Sequence, residues 1–575
     1  MRFQHLSFCV ALASIPLVLA SCADATFVVE DLGNNSNIIQ DRLPGTTFKG
    51  GSGTSDSGSG DGTGGDGAAT PDPSTNPTSI TLSDNAGVYP LYPDKGSFRV
   101  SLGGARLGIA ALSSVRSNSI LLPLQVGWSG GGASYGTQAA GAPAAASPPS
   151  SFEARMVERV SKMDLSAPIP RYRIQAGTVE VGQIRRFAVP DSDRENTYSS
   201  VDAKAVYVDN RAGAGRFVIW VDPRDEVIFS SQAKLTALAD VISSRIYPKD
   251  TALFGADPTL DDNAKAGDGR RIAMDDDYIH FLFSRQVDNG TATEMGNGIL
   301  GFFWWPDLTN TSKSNRSKLL YIASSLMSRS ESDVYGTIAH ELQHLLFSCH
   351  RVKQVGLLAH QGEFGPLIWL NEGLSMLAMF ENGYGPEGSN PSPSMFLQIR
   401  RFLSAPWTYS LTDFLNQGPA GDDSAYGMAA LYLQYVRNRL GDGAIRSFHT
   451  LDNGGRADEV DLADRVMRTK GSTMAGLFAD FGAAVALDGS PVFDLLPASQ
   501  RTRYGIDGVT LQRKTYDIPG VKLTERTLNG PSVSSGSNLS LKPYSLSFLQ
   551  RMSPTGLDVS GVSGTGYGTR LILQK

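Results

Sequence analysis

The 575-residue chain has only 3 cysteines and 7 histidines. Cys9 lies in an N-terminal apolar stretch, Cys22 follows it, and Cys349 stands far downstream. If the leader is removed and Cys22 is modified, one thiol remains, and no intramolecular disulfide can form. Cys349 falls among apolar neighbours on a predicted helix, so a buried structural thiol is expected. Net charge is also small: 51 Lys and Arg against 57 Asp and Glu leave −6. No basic stripe and no nucleic-acid-binding motif occurs, which argues against a nucleic-acid partner. No internal repeat is visible. A hydrophobic content of 41% suffices for real cores, and the length allows three or four domains.

Long apolar runs are scarce too. The stretch Phe8–Leu19, preceded by Arg2, is too short to span a membrane as a retained helix and reads as an export signal over 1–21. It ends in Leu19-Ala20-Ser21-Cys22, which resembles a bacterial lipobox. The resemblance implies cleavage before Cys22, lipidation of that residue, and a cell-envelope location on a bacterial membrane. Ordinary secretory cleavage near the same point is the alternative, and both export the chain. Residues 22–79 become Gly-, Ser-, Thr-, Asp- and Pro-rich from position 50, a composition that reads as a flexible tether. Residues 80–128 carry β-like runs, Ser97–Leu102 and Ile120–Val126, and are expected to form a small β module. Residues 129–151 form a Gly/Ala/Pro-rich linker. Were the β module a propeptide, this linker would be its accessible cleavage point.

Residues 152–495 read as the main compact region of the chain. Phe152–Met163 and Gln232–Ile246 have helical spacing. Strands are expected at Tyr172–Ile174, Arg185–Val189, Ala205–Val208, Arg216–Val221, Tyr278–Phe283, Ile299–Trp304 and Leu319–Ile322. Helices dominate afterwards, an α+β order. Residues 496–575 turn strand-like again at Val509–Arg513, Lys542–Phe548 and Arg570–Leu573. They read as a C-terminal β extension, either an accessory domain or strands that complete the compact region 152–495. The acidic runs Asp261-Asp262-Asn263 and Asp275-Asp276-Asp277 offer oxygen ligands for Ca²⁺. Neither follows EF-hand spacing, and solvated loops are the expectation.

Two of the few histidines sit four apart, in His340-Glu341-Leu342-Gln343-His344. This H-E-x-x-H spacing places both imidazoles on one helical face, where they can share a zinc ion, with the glutamate placed to take a proton from water. Ser330 to Asp333 supply an N-cap and early acidic residues. Val334, Ile338, Leu342, Leu345 and Cys349 form an apolar stripe, and the histidines fall nearly opposite it, beside Gly336 and Thr337. The spacing therefore predicts one face in a core and the imidazoles toward a cleft. A catalytic zinc needs a third protein ligand. Glu372, in Trp369-Leu370-Asn371-Glu372-Gly373-Leu374-Ser375, follows His344 by 28 positions. Pro366 suits the start of its helix and Asn382-Gly383 the end. Its helix neighbours Ile368, Trp369, Met376 and Met379 are apolar, and a carboxylate there needs a partner.

The H-E-x-x-H helix followed by W-L-N-E-G-x-S resembles the gluzincin metallopeptidases, and within them the hyicolysin family most. The matching stretches are Gly298–Trp304, Lys318–Ile322, Thr337–Leu345 and Trp369–Gly373, within residues 190–490. The resemblance implies a thermolysin-like zincin domain holding one zinc ion through His340, His344 and Glu372, with Glu341 as general base. It implies a protein or peptide substrate. No motif for binding a substrate's N-terminal amine is evident, which points to an endopeptidase. Related gluzincins place a catalytic tyrosine on a later helix. Tyr426 is the candidate here for stabilising the oxyanion, with an aromatic packed in a helix as the other reading. His360 and His449 are further candidates. In these peptidases a strand before the zinc helix binds substrate along its edge. Gly298–Trp304 lies in that part of the chain and is expected as a core strand. A surface-binding lipoprotein on an inactive peptidase scaffold, such as an adhesin, is the competing reading. A metal-storage lipoprotein fits less well, because it has no use for Glu341.

Overall fold

The structure is a computed structural model. It describes residues 76–575 except 78, 83, 92–97, 116–122, 130–151, 166–177, 191–196, 211–214, 259, 261–273, 288–299, 310, 312, 417–423, 453–459, 534–537 and 561–566. The export signal, Cys22, nearly all of the tether and linker, the strand expected at Tyr172–Ile174 and the run Asp261-Asp262-Asn263 lie outside the described residues.

The chain has a mixed α+β architecture. Strands β1 (Ser79–Thr81), β2 (Ala86–Leu91), β3 (Phe98–Gly103), β4 (Leu107–Ser114) and β5 (Pro123–Ser129) come first. After helix α1 (Phe152–Ser161) follow β6 (Ile184–Pro190), β7 (Tyr198–Asp209), β8 (Phe217–Val221), α2 (Gln232–Val241) and α3 (Tyr247–Phe254). A π-turn at Ile242–Ile246 joins these two helices. Strands β9 (Ile279–Ser284), β10 (Gly301–Phe303) and β11 (Lys318–Ala323) lead into a helical region. It contains α4 (Glu331–Val355), α5 (Leu357–Phe364), α6 (Ile368–Glu381), α7 (Pro393–Ser404), α8 (Ser424–Leu440), α9 (Asp442–Thr450), α10 (Asp461–Thr469) and α11 (Met474–Leu487). Among the later strands are β12 (Gln512–Thr515), β13 (Thr527–Asn529), β14 (Asn538–Ser540), β15 (Leu546–Met552), β16 (Gly556–Ser560) and β17 (Tyr567–Gln574).

Strands β6–β11 form a six-stranded sheet in the order β10-β11-β9-β8-β7-β6. Its centre, β8, β9 and β11, is parallel and wholly buried, so those strands read as continuous apolar runs, Phe217–Val221 and Ile279–Phe283 among them. β10 pairs antiparallel with β11 and has no second neighbour among the described residues. The segment expected to be a core strand is thus the edge of the sheet. Its length explains the difference: three residues pair on one side only, although Phe302, Phe303 and Trp304 are buried by what packs above them.

The segments expected as separate N- and C-terminal β modules build one structure together. β16 inserts between β3 and β5 in a five-stranded sheet, and β17 inserts between β4 and β2 in a four-stranded one. Alternation along the strands divides the side chains. Leu571 and Leu573 face a core with Val100, Leu112 and Leu557, while Ile572 and Ala111 turn to the main core. There α11 lies against the four-stranded sheet, and its buried Asp480 pairs with Arg570 of β17 at 2.7 Å. In the acidic run at 275–277, Asp275 pairs with Arg316 (3.2 Å), Asp276 with Arg185 (3.1 Å) and His280 (2.7 Å), and Asp277 with Lys318 (3.2 Å). The run expected as a solvated loop, with Ca²⁺ as the alternative, is thus paired with Arg, Lys and His side chains of the chain itself.

Candidate metal centre

Helix α4 starts where the sequence predicts. The Ser330 side chain accepts a hydrogen bond from the Asp333 amide, and Glu331 and Asp333 occupy the positive end of the helix. It runs past Cys349 to Val355 and stops at Gly356, whose φ of 89° suits glycine. The stripe from Val334 to Cys349 is buried as expected. The opposite face is covered as well, by α6. Gly336 is where α6 comes close: a Cβ there would lie 2.9 Å from the Met379 side chain. Gly301 of β10 plays the same part on the other side, because a Cβ there would meet Thr337 at 2.9 Å and Glu341 at 3.2 Å. Small residues on both sides thus let strand and helix close around the motif.

His340 and His344 stand one turn apart with ring centroids 4.8 Å from each other. α6 brings Glu372 between them. Its Oε2 lies 3.2 Å from His340 Nε2 and 3.5 Å from His344 Nε2. A tetrahedral zinc with bonds of about 2.0–2.1 Å separates its ligand atoms by about 3.3 Å, so both spacings suit it. All three ligand atoms fall within 4.8 Å of one another, and no other three-residue group of His, Cys, Asp or Glu is so placed among the described residues. The donor set, two imidazoles and one carboxylate around a cleft, fits a catalytic zinc with an open position.

Electrostatics agree with a site made for a cation. Burial alone would raise the Glu372 carboxyl, but the adjacent imidazoles hold it well below the usual carboxylate range. Burial alone would lower His344, but Glu372 raises it to about 9 in the metal-free protein. A proton would therefore compete with a metal ion for this ring. We expect apparent zinc affinity to fall about tenfold for each pH unit below about 9, and to level off above it. Chelator competition between pH 6 and 10 would check this, and a flat profile would contradict it. The metal-free fold has the opposite trend: the protonated pair stabilises it below about 6.5, and that contribution is lost as pH rises through about 9.

The centre opens on a cleft of about 80 Å³. Glu341 lines it, is buried, and has an Oε2 with no hydrogen-bond partner among the described residues. Burial raises its pKa against the pull of His340 and His344. Tyr426 also lines the cleft, from the first turn of α8, with its ring 6.4 Å from that of His340. Gly427 next to it lets α8 touch α7, since a Cβ there would strike the backbone of Gln398. The Tyr426 hydroxyl donates to Glu153 Oε1 at 2.9 Å. His360 and His449 do not reach the cleft. His360 is enclosed by Trp305, Phe347 and Phe364, and burial pushes its pKa down to about 3. His449 packs on Phe254 and Phe347 behind α4.

Part of the cleft had no signal in the sequence. Phe152, Glu153 and Met156 of α1 form one wall, about 190 positions before the motif. α1 reads as an ordinary amphipathic helix. Its place is set by long-range contacts: Phe152 packs on Phe302 with centroids 5.4 Å apart, and the Gln361 side chain caps the carbonyls of Val160 and Met163.

No family model matches the chain, and no curated protein does. Among solved structures, it is similar to a point mutant of an M1 zinc metallopeptidase from Deinococcus radiodurans bound to a Tyr-Ser-Ala substrate. The two share 13% identity, over 50% of this chain and 58% of that one, at a TM-score of 0.25. At that TM-score the likeness carries no argument.

Proposed function

We propose that this protein is a zinc-dependent endopeptidase of the gluzincin type, similar to the hyicolysins, with a thermolysin-like catalytic domain. The observation that carries the reading is the convergence of His340, His344 and Glu372 beside Glu341, whose unpartnered oxygen lies at the cleft. Zinc, when bound, lowers the pKa of a water molecule and polarises a carbonyl. Glu341 takes the proton from the attacking water and passes it to the leaving amine. Its raised pKa suits it to both directions of transfer. Tyr426, across the cleft, donates its hydroxyl to the oxyanion that forms on the substrate carbonyl, leaving Glu153 as it does so. The edge of β10 that pairs with no strand among the described residues receives the substrate as an added strand.

The lipobox-like Leu19–Cys22 and the tether behind it support export and attachment to a bacterial membrane through a lipidated Cys22, so the substrate is an extracellular protein. No helix among the described residues is long and apolar enough to cross a membrane. The test is casein cleavage by the purified protein. We expect hydrolysis, its loss with a chelator, and its return with zinc. Bound zinc without hydrolysis of any protein substrate would instead favour a binding lipoprotein on a peptidase scaffold.

A further inference from the structure

We propose that Glu153 of α1 is a specificity-determining residue, and that the peptide substrate carries a lysine or arginine side chain close to the bond that is cut. The inference rests on the zinc-peptidase reading above and adds a substrate class to it.

Three carboxylates line the cleft, those of Glu153, Glu341 and Glu372, and among the described residues no lysine or arginine does. A divalent ion on His340, His344 and Glu372 would match two of these charges, since imidazole ligands are neutral. The third leaves the loaded cleft negative, and a cleft lined by one sign of charge draws in the other. Glu372 holds the metal and Glu341 acts on water, so Glu153 is the carboxylate that faces the substrate. Its neighbours on the wall decide which cation fits. Phe152 precedes it, and Met156 follows about one turn later on the same side of α1. An acid set between two apolar side chains suits a long methylene stem with a charge at its tip, which is the shape of lysine and arginine. A free N-terminal amine has no such stem. The wall is also held in place from both ends. Phe152 packs on Phe302, and Arg159 donates to the Thr197 carbonyl at 3.0 Å with its guanidinium 4.4 Å from the centre of the Tyr198 ring. Tyr426 supplies a second reason. Its hydroxyl has one proton, which at rest goes to Glu153 Oε1 at 2.9 Å. When that proton turns to the oxyanion, the half-buried Glu153 loses a donor, and the substrate cation replaces it.

The test uses internally quenched peptides, blocked at both ends, with lysine or norleucine placed in turn at each position on either side of the scissile bond. Norleucine has the stem of lysine without its charge. At one position lysine should raise kcat/KM about tenfold over norleucine. The ratio is read within each protein, so a general loss of activity cancels. Glu153→Gln keeps an acceptor for the Tyr426 hydroxyl and should bring the ratio to about one. Glu153→Lys should favour glutamate at that position instead. Fluorescence anisotropy of labelled peptides on the zinc-loaded Glu341→Gln protein gives the same comparison without turnover, and lysine should again bind more tightly than norleucine. Should zinc bind without cleavage, the anisotropy comparison decides by the same signs. A ratio of about one at every position in the wild type, a lysine preference that survives Glu153→Gln, or a preference seen only when the N-terminal amine is left free would overturn the proposal and leave the peptidase standing. A protein that binds no zinc and cleaves no peptide would overturn the peptidase reading and the proposal with it.

Discussion

Glu341→Gln is expected to keep zinc at the wild-type stoichiometry and to lower kcat for peptide hydrolysis about 10²–10⁴-fold. The substitution keeps shape and volume, which matters because Glu341 is enclosed on both sides. Its Cγ lies 3.2 Å from where a Gly301 side chain would begin, and Oε2 has no hydrogen-bond partner among the described residues. A carboxylate left unpaired at such a position is costly unless chemistry uses it. An amide there presents a nitrogen that holds no lone pair for a proton, so the water keeps its proton and the leaving amine receives none. Metal analysis beside steady-state kinetics separates this from loss of the site. A variant that retains zinc and cleaves casein at the wild-type rate would remove Glu341 from the mechanism.

The largest stability effect is expected behind the metal centre. Arg351 of α4 and Glu363 of α5 are both fully buried. They form a two-pronged pair at 2.5 and 3.1 Å, and Arg351 also donates to the Leu451 carbonyl at 2.6 Å. Glu363→Ala leaves the guanidinium without its counter-charge in a dry interior, and should cost about 3–5 kcal/mol in urea unfolding. Replacing both partners with apolar residues of similar volume, Arg351→Met with Glu363→Leu, should cost far less, since neither charge is then stranded. Equal losses in the single and double variants would show that packing, and not charge, holds this junction. The pair fixes the C-terminal half of α4 to the helix that follows it, so the same variant should loosen the far end of the motif helix.

Much of the centre was legible from residue spacing. The 3.6-residue period of α4, the Ser330 cap and the W-L-N-E-G stretch located all three ligand residues, because each lies on a helix whose pattern is local. The burial of the histidine face was not legible. Gly336 and Thr337 signalled a close approach, but their identity does not say that α6 is what approaches. Nor did a three-residue strand disclose whether β10 was an edge or a centre, since its aromatics are buried from above. The α1 wall was hidden because it pairs residues about 150–200 positions apart, and such pairs leave no periodic trace in the chain.

The interleaving of β16 and β17 among the first strands bears on how the molecule is made and processed. Neither sheet can close until residues 556–574 have left the ribosome, so the clasp that ties the two ends together is the last part to form. A protease that cut between residues 130 and 151 would sever one covalent link, yet β16 and β17 would still grip both neighbours on either side. The N-terminal strands would stay in place, stitched to the C-terminus, and would not depart as a propeptide.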